Sequence, residues 1–376
     1  MSHLDLAAAL LNHPTAPLLE IHPRAFIRQF AAARPALKLI EDAAGNSRVD
    51  LRFGLNGTSA SPPLVLVAHL DHPGFHVKRI EGQTAELEFH GGHSGAHALP
   101  GTRVHFFDAS QTQPIGAGEL IERDSDSGPL KRASARIADG RASIGGFAMW
   151  GFPGFSLETQ SDNAQIISAR CCDDLLGAAA ILSVFDELLK LAPPEINVIG
   201  LFTRAEEIGF LGTLEAIRLK TIPQNSCVLS LECSKAFAHA PQGGGVIVRV
   251  GDASSIFDPG LTQALTLAAK KLSEFDTGFK FQRKLMDGGT CEATPFCAHG
   301  YRASGLALPL GNYHNQAFDA NGRACVGPET VDAADFENEI KLLVELALHP
   351  QALDPCADKI PQRIKDLALK AQELLR

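Results

Sequence analysis

The chain has 376 residues, 45% hydrophobic and 20% charged, with no low-complexity tract, which excludes a disordered protein and leaves room for one large α/β domain plus a smaller one. A formal net charge of -9 argues against a nucleic-acid partner, whose phosphates demand clustered Lys and Arg. No stretch approaches the roughly 20 apolar residues that span a bilayer, and Met1-Ser2-His3-Leu4-Asp5 lacks a basic-then-apolar leader, so a cytoplasmic protein without a membrane partner is expected.

Apolar spacing at Phe26, Ile27, Phe30 and Leu37 predicts a helix over about Arg24 to Leu39, interrupted at Pro35. A strand follows at Val49 to Phe53. The continuous run Leu64-Val65-Leu66-Val67-Ala68 suits a central strand buried on both faces. From about His76 to Asp162 short alternating runs separated by Gly-rich turns predict a small β-barrel. Asp173-Asp174 then opens an amphipathic helix with Leu175, Ala178, Leu182, Phe185 and Leu189 on one face. The remainder alternates: strands at Ile196 to Phe202, Cys227 to Leu231, Val246 to Val250, near Phe279 to Gln282 and at Ser304 to Leu308. Helices are expected from about Leu211, near Leu261 to Leu272, from about Cys291, and at Glu329 to Leu348 and Pro361 to Leu375. The fold class is therefore α/β, a mixed sheet sandwiched by helices, with a catalytic domain at 1–75 and 166–376 and an inserted β-barrel domain at 76–165.

Metal-binding residue types fall after the predicted strands: His69, Asp173, Glu206-Glu207, Glu232 and His314. In open α/β sheets the functional crevice lies beyond the strands' carboxyl ends, so these side chains are placed to converge. Imidazole mixed with carboxylate favours zinc, cobalt or manganese over calcium. Taken singly each has a plainer reading. Asp173-Asp174 suits a helix N-terminus, Glu206-Glu207 a solvated turn, His69 a core histidine and His314 a surface loop.

Four segments in order, Val67-Ala68-His69-Leu70-Asp71, Cys172-Asp173-Asp174, Ala205-Glu206-Glu207-Ile208-Gly209 and Asn312-Tyr313-His314, resemble the metal motifs of the M42 aminopeptidase family. The likeness extends over nearly the whole chain. The long insertion between His69 and Asp173 is similar to the M42 barrel domain, and Gly91-Gly92 with Leu99 to Val104 resembles its opening strands. The resemblance implies two divalent metal ions per chain, zinc first with cobalt or manganese as alternatives. One would be held by His69, Asp173 and Glu232 and the other by Asp173, Glu207 and His314, with Asp173 shared. Asp71 would orient the His69 imidazole. Glu206 would be the general base for a water shared by the ions, giving an aminopeptidase that removes N-terminal residues from short peptides. Self-association into a homo-oligomer is also implied. The chain departs from the family pattern at Glu232, where Asp is usual, at Leu175, where Arg is common, and at Cys291-Glu292, where Asp-Ala is usual.

Rival functions are a metal-dependent amidase or deacylase of N-acyl amino acids, a metal-independent glycoside hydrolase using paired carboxylates, and a silent scaffold. His90, His93, His97 and His105 lack a helical His-Glu-x-x-His frame and are expected at the surface or the rim of the site rather than on a metal. Gly243-Gly244-Gly245 and Gly288-Gly289 read as turns. Eight cysteines without a Cys-x-x-Cys read as buried, reduced thiols.

Overall fold

A computed structural model describes residues 1–55, 62–161, 163–353 and 360–375; Asp162, the expected end of the barrel texture, lies outside them. The chain opens with helices α1 (His3–Leu11) and α2 (Ile21–Ala32), then strands β1 (Lys38–Glu41), β2 (Ser47–Phe53) and β3 (Leu64–His69). Six strands follow: β4 (Gly74–Glu81), β5 (Thr84–His90), β6 (Arg103–Asp108), β7 (Gln111–Arg123), β8 (Arg132–Gly140) and β9 (Phe147–Trp150). Next come β10 (Ser156–Thr159), β11 (Gln165–Ala169), α3 (Leu175–Leu191), β12 (Ile196–Thr203), α4 (Leu211–Arg218), β13 (Cys227–Ser230), β14 (Cys233–Lys235) and β15 (Val246–Asp252). The last part holds α5 (Pro259–Phe275), β16 (Phe281–Met286), α6 (Ala293–Ala298), β17 (Arg302–Leu310), β18 (Gln316–Phe318), β19 (Ala324–Val326), β20 (Glu329–Asp332), α7 (Ala333–Leu348) and α8 (Ile360–Leu374). No helix among the described residues is long and apolar enough to cross a membrane.

The main sheet runs β1-β2-β12-β3-β13-β17-β15-β16, with β14 added beside β17. At its centre β12, β3, β13 and β17 are mutually parallel, whereas β2 pairs antiparallel to β1 and β12, and β15 runs antiparallel to β17 but parallel to β16. All six residues of β3 are buried because both faces are covered. Leu64, Leu66 and Ala68 join the core that includes Ile181 and Phe185 of α3, while Val65 and Val67 pack with Ala216 of α4 and Phe296 of α6. That two-sided burial is why the run carries no polar alternation.

The expected barrel is present and closed, in the order β4-β5-β8-β7-β6-β9. Period-two alternation builds it: in β5 Ala85, Leu87 and Phe89 point inward to Phe75, Val104, Phe106 and Trp150, and Glu86 points out. It springs from the main sheet at once, since β4 begins five residues after His69.

Three expectations need correction. The helix predicted to Leu39 stops at Ala32 and the chain re-enters extended structure as β1, because Pro35 lacks an N–H and forces its predecessor out of helical backbone. The helix predicted from Glu329 begins at Ala333; Glu329 to Asp332 instead form β20, which pairs with β11, and the Asp332 carboxylate caps α7 by accepting from Ala334 N at 2.8 Å. Helix α1 was not predicted, although Ser2 and Asp5 form a reciprocal capping box at its start.

Helix α7 buries Glu339 completely, with neither carboxylate oxygen hydrogen-bonded among the described residues. Burial pushes its pKa up to about 8. A folded-state value above the unfolded one means that the unfolded chain gives up a proton that the folded chain keeps. This carboxyl therefore costs stability as pH rises through its folded pKa, on the order of 1 kcal/mol per pH unit across the window between the unfolded value and about 8. Glu339→Gln is expected to be more stable than the parent at pH 8 and to converge with it at pH 4, as read from denaturant midpoints. A parent advantage at pH 8 would contradict this account of the carboxyl.

Candidate metal centre

Strand register brings most of the site together. His69 ends β3 directly opposite Thr203 of the parallel β12, so the turn Arg204-Ala205-Glu206-Glu207 leaves the sheet beside it. Glu232 follows β13 on the other side of β3, and His314 follows β17, the next parallel strand. Asp173 arrives separately, between β11 and α3, because β11 lies in a three-stranded sheet with β10 and β20. The Asp173-Asp174 peptide bond is cis.

Asp173 sits between the two histidines. Its Oδ1 lies 3.5 Å from His69 Nε2 and its Oδ2 lies 3.7 Å from His314 Nε2. Glu232 Oε2 and Glu206 Oε2 each lie 3.9 Å from His69 Nε2, while Glu207 Oε1 lies 3.2 Å from His314 Nε2. One ligand atom each from His69, Asp173 and Glu207 falls within 4.8 Å of the others. All seven residues singled out from the sequence are thus assembled in one cleft, Asp71 at its base.

Both imidazoles have their tautomers fixed from behind. His69 Nδ1 donates to the Asp71 carbonyl at 3.1 Å and His314 Nδ1 donates to the Gly92 carbonyl at 2.6 Å, leaving each Nε2 turned toward the carboxylates. The Asp71 carboxylate, expected against the His69 ring, lies 3.6 Å from Nδ1 and also accepts from Glu206 N at 2.9 Å and Glu207 N at 3.1 Å. It therefore anchors the turn carrying two of the site's acids. Glu20 helps from the other end of that turn, accepting from Ala205 N at 3.1 Å and pairing with Arg204 at 2.7 Å. This pinning holds Ala205 at a φ of +52°, a backbone state that residues with a side chain seldom adopt.

Other supports were not evident in the sequence. Glu329 is fully buried; Oε2 accepts from Cys172 N at 2.8 Å and Asp173 N at 3.0 Å, and Oε1 from His314 N at 2.8 Å. His72 donates from Nδ1 to the Asp173 carbonyl at 2.7 Å and faces Asn315 Oδ1 through Nε2 at 3.0 Å. Asn312, His314 and Asn315 all have positive φ, and Asn315 is tied by its amide to the Arg170 and Gly327 carbonyls. Glu292, a departure from the family pattern, accepts from the Thr203 and Thr213 hydroxyls under the β12 end of the sheet. Its only hint in the sequence was one acid in an otherwise uncharged stretch, Gly288 to Ala298.

The electrostatics are those of a cluster with too many carboxylates. Burial, with Glu232 and Glu207 nearby, pushes the Glu206 carboxyl well above its usual range, and burial with Asp173 nearby lifts Glu232 to about 8. Burial alone would lower both histidines, but Glu206, Asp173 and Asp71 hold His69 well above its ordinary value, and Glu207 with Asp173 holds His314 at about 9. Asp173 Oδ1, Glu207 Oε1 and Glu232 Oε1 are buried without a hydrogen-bond partner. Orphaned carboxylate oxygens and two Nε2 atoms facing one space suit a borderline divalent cation. A second group, Asp173, Asp174 and Cys233, lies alongside, but burial raises both the Asp174 carboxyl and the Cys233 thiol well above their ordinary values, which favours their protonated forms.

The sequence profile of the M42 glutamyl aminopeptidases matches residues 150–323. Over that span the chain is similar to the M42 family. Its fold is that of solved aminopeptidases. The TET aminopeptidase from the marine sediment archaeon Thaumarchaeota archaeon SCGC AB-539-E09 superposes with a TM-score of 0.73 at 17% identity, covering 93% of this chain and 98% of that one. An aminopeptidase from the archaeon Desulfurococcus kamchatkensis gives 0.74 at 17%, covering 95% and 98%. The Pyrococcus horikoshii TET1 peptidase, which assembles into a tetrahedron or a large octahedral shell, gives 0.71 at 20%, covering 92% and 99%. Among curated proteins none matches the sequence.

In the second histidine cluster His93 and His97 are buried, packed where the barrel meets the segment after His314, at the rim of the site and not on the open surface: the His97 ring donates to the Ala317 and Cys325 carbonyls, and His93 packs beside Trp150. Burial lowers His93 to about 3, so it stays neutral.

Proposed function

We propose that this chain is a dinuclear metallo-aminopeptidase of M42 type that releases the first residue of short peptides with a free amino terminus. The observation that carries the reading is the shared Asp173, each of whose oxygens faces a different histidine, with Glu232 flanking one and Glu207 the other. His69, Asp173 and Glu232 would hold one cation; Asp173, Glu207 and His314 would hold the second. Zinc suits this donor set first, with cobalt or manganese close behind. When bound, the cations supply Lewis acidity, polarising the scissile carbonyl and acidifying a water.

Glu206 is left outside both ligand sets and close to His69, where it takes the proton of the attacking water and passes it to the leaving amine. Its raised proton affinity suits that exchange. Asp71 keeps Glu206 and Glu207 in place through their own backbone amides, so the base cannot drift into the ligand position. The described cysteines are free, which accords with a cytoplasmic setting. Self-association into a homo-oligomer, as for the Pyrococcus horikoshii peptidase, is part of the same proposal. Exposed Ile256, Phe275 and Phe318 would be natural candidates for burial in it.

Exhaustive chelation is expected to abolish cleavage of leucyl anilide, and readdition of zinc, cobalt or manganese to restore it, with about two equivalents per chain at full activity by elemental analysis. Activity that survives chelation while a glucan is cleaved would overturn the proposal in favour of a glycosidase. Preference for N-acylated over free-amino substrates would replace it with a deacylase.

A further inference from the structure

A second pocket, about 360 Å³ in volume, opens where the barrel meets the rest of the protein and shares no lining residue with the acidic cleft. Arg103 and His105 of β6, Thr112 and Gln113 of β7, Asn12 at the end of α1 and Arg170 just after β11 line it, and no Asp or Glu among the described residues does. Arg170 is 4% exposed. Its Nη1 donates to the Phe152 carbonyl at 3.1 Å, its Nε is buried without a partner, and the Phe107 ring 5.1 Å from its guanidinium carbon carries no formal charge. Arg249, the other buried arginine among the described residues, has Glu232 and Asp252 nearby to hold its charge. Arg170 has no described carboxylate near enough to do so; burial lowers its pKa to about 10, which still leaves it charged at neutral pH. His105 continues the pattern. Its Nδ1 is buried and unpartnered, and burial together with Arg103 and Arg170 lowers its pKa. In a chain of net charge -9, two guanidiniums and an imidazole around one acid-free pocket concentrate positive potential there. A buried guanidinium with nothing to balance it is costly, and a bound anion removes that cost.

We propose that this pocket is a phosphate-binding site, separate from the cleft, in which Arg103, His105 and Arg170 hold the phosphate oxygens. It stands whether or not the aminopeptidase reading does. Two guanidinium forks and a ring nitrogen offer more donors than the two oxygens of a carboxylate use, and they suit the three terminal oxygens of a phosphate. Two sources present that group: inorganic phosphate, or a phosphate ester of a small polar metabolite. The volume is within the range of small-molecule sites, and Asn12, Thr112 and Gln113 supply polar groups for the part of an ester beyond its phosphate. The pocket is tied to the acidic cluster through the backbone, since the Arg170 carbonyl accepts from the Asn315 amide at 3.1 Å and Asn315 follows His314. Binding is therefore to be measured with and without metal.

Calorimetric titration of the metal-loaded and the chelated protein with inorganic phosphate, in about 0.15 M chloride, is expected to show one site per chain with a Kd of about 1 mM or below in both states. Arg103→Met should weaken binding by about tenfold or more, and Arg103→Lys should recover part of the loss. Arg103 is exposed, so its variants should fold even if Arg170→Met does not. Phosphate should also raise the melting temperature of the parent and leave that of Arg103→Met unchanged, a difference that a merely structural arginine would not produce. Glycerol 3-phosphate, with glycerol as its control, separates the sources: an ester that binds more tightly than phosphate assigns the pocket to a phosphorylated metabolite, and one that binds equally or less tightly assigns it to the free ion. Phosphate binding weaker than that Kd, binding that vanishes with the metal, or equal binding by the parent and Arg103→Met would overturn the site.

Discussion

Glu206→Gln should lower kcat on leucyl anilide by about a thousandfold and leave the metal content of the protein unchanged. Glutamine keeps the length of the side chain and a carbonyl oxygen near His69, but it cannot accept and return a proton. The substitution leaves the turn intact, because Asp71 grips the backbone N–H of residue 206 and not its side chain. Glu207, one residue on, lies 3.2 Å from His314 Nε2 and should behave differently: its removal is expected to release metal. Elemental analysis beside steady-state kinetics separates the two. Activity within tenfold of the parent, or metal loss in step with activity loss, would remove Glu206 from the role of base.

Glu329→Ala is expected to give the largest loss of stability of any single change near the site. Its two oxygens accept from three backbone amides, at Cys172, Asp173 and His314, and alanine would leave all three donors buried and unpartnered. The cost is about 3–5 kcal/mol, as for other buried charged acceptors. Those amides belong to, or immediately precede, Asp173 and His314, so on the proposed ligand set metal affinity should also fall by about ten- to a hundredfold. Denaturation of the metal-free protein reads the first effect and metal titration at a permissive temperature reads the second. An unchanged unfolding midpoint would show that the amides find other acceptors.

Much of this was legible in the chain. The run Leu64 to Ala68 announced a strand covered on both faces, and alternation with glycine turns announced the barrel, because burial geometry writes itself directly into apolar spacing. The candidate site could be approached because its residues sit just past strand ends. The supporting residues were not legible for a physical reason: Glu20, His72 and Glu329 act mainly through backbone amides and carbonyls, so nothing in the types of their sequence neighbours marks them, and Glu292 stood out only as an acid in an uncharged stretch, with nothing to show that it meets two threonine hydroxyls. Glu329 was misread as the start of a helix, since an acid there suits a helix N-terminus as well as it suits a buried acceptor on β20. Asp173 was correctly placed after a strand, but only the pairing of β11 with β20 reveals that this strand belongs to another sheet.

His314 takes its orientation from the barrel and not from the sheet that delivers it. The Gly92 carbonyl holds the ring, Ser94 N bonds the Gln316 side chain at 3.1 Å, and the His97 ring reaches the Ala317 carbonyl at 2.9 Å. A Cβ at Gly92 would lie 3.3 Å from the imidazole, so any larger residue there would push the His314 ring by a few tenths of an ångström. The barrel is thus no detachable appendage: it forms one jaw of a vice closed on this histidine, and a force that tilts it relative to the sheet is delivered straight to the ring.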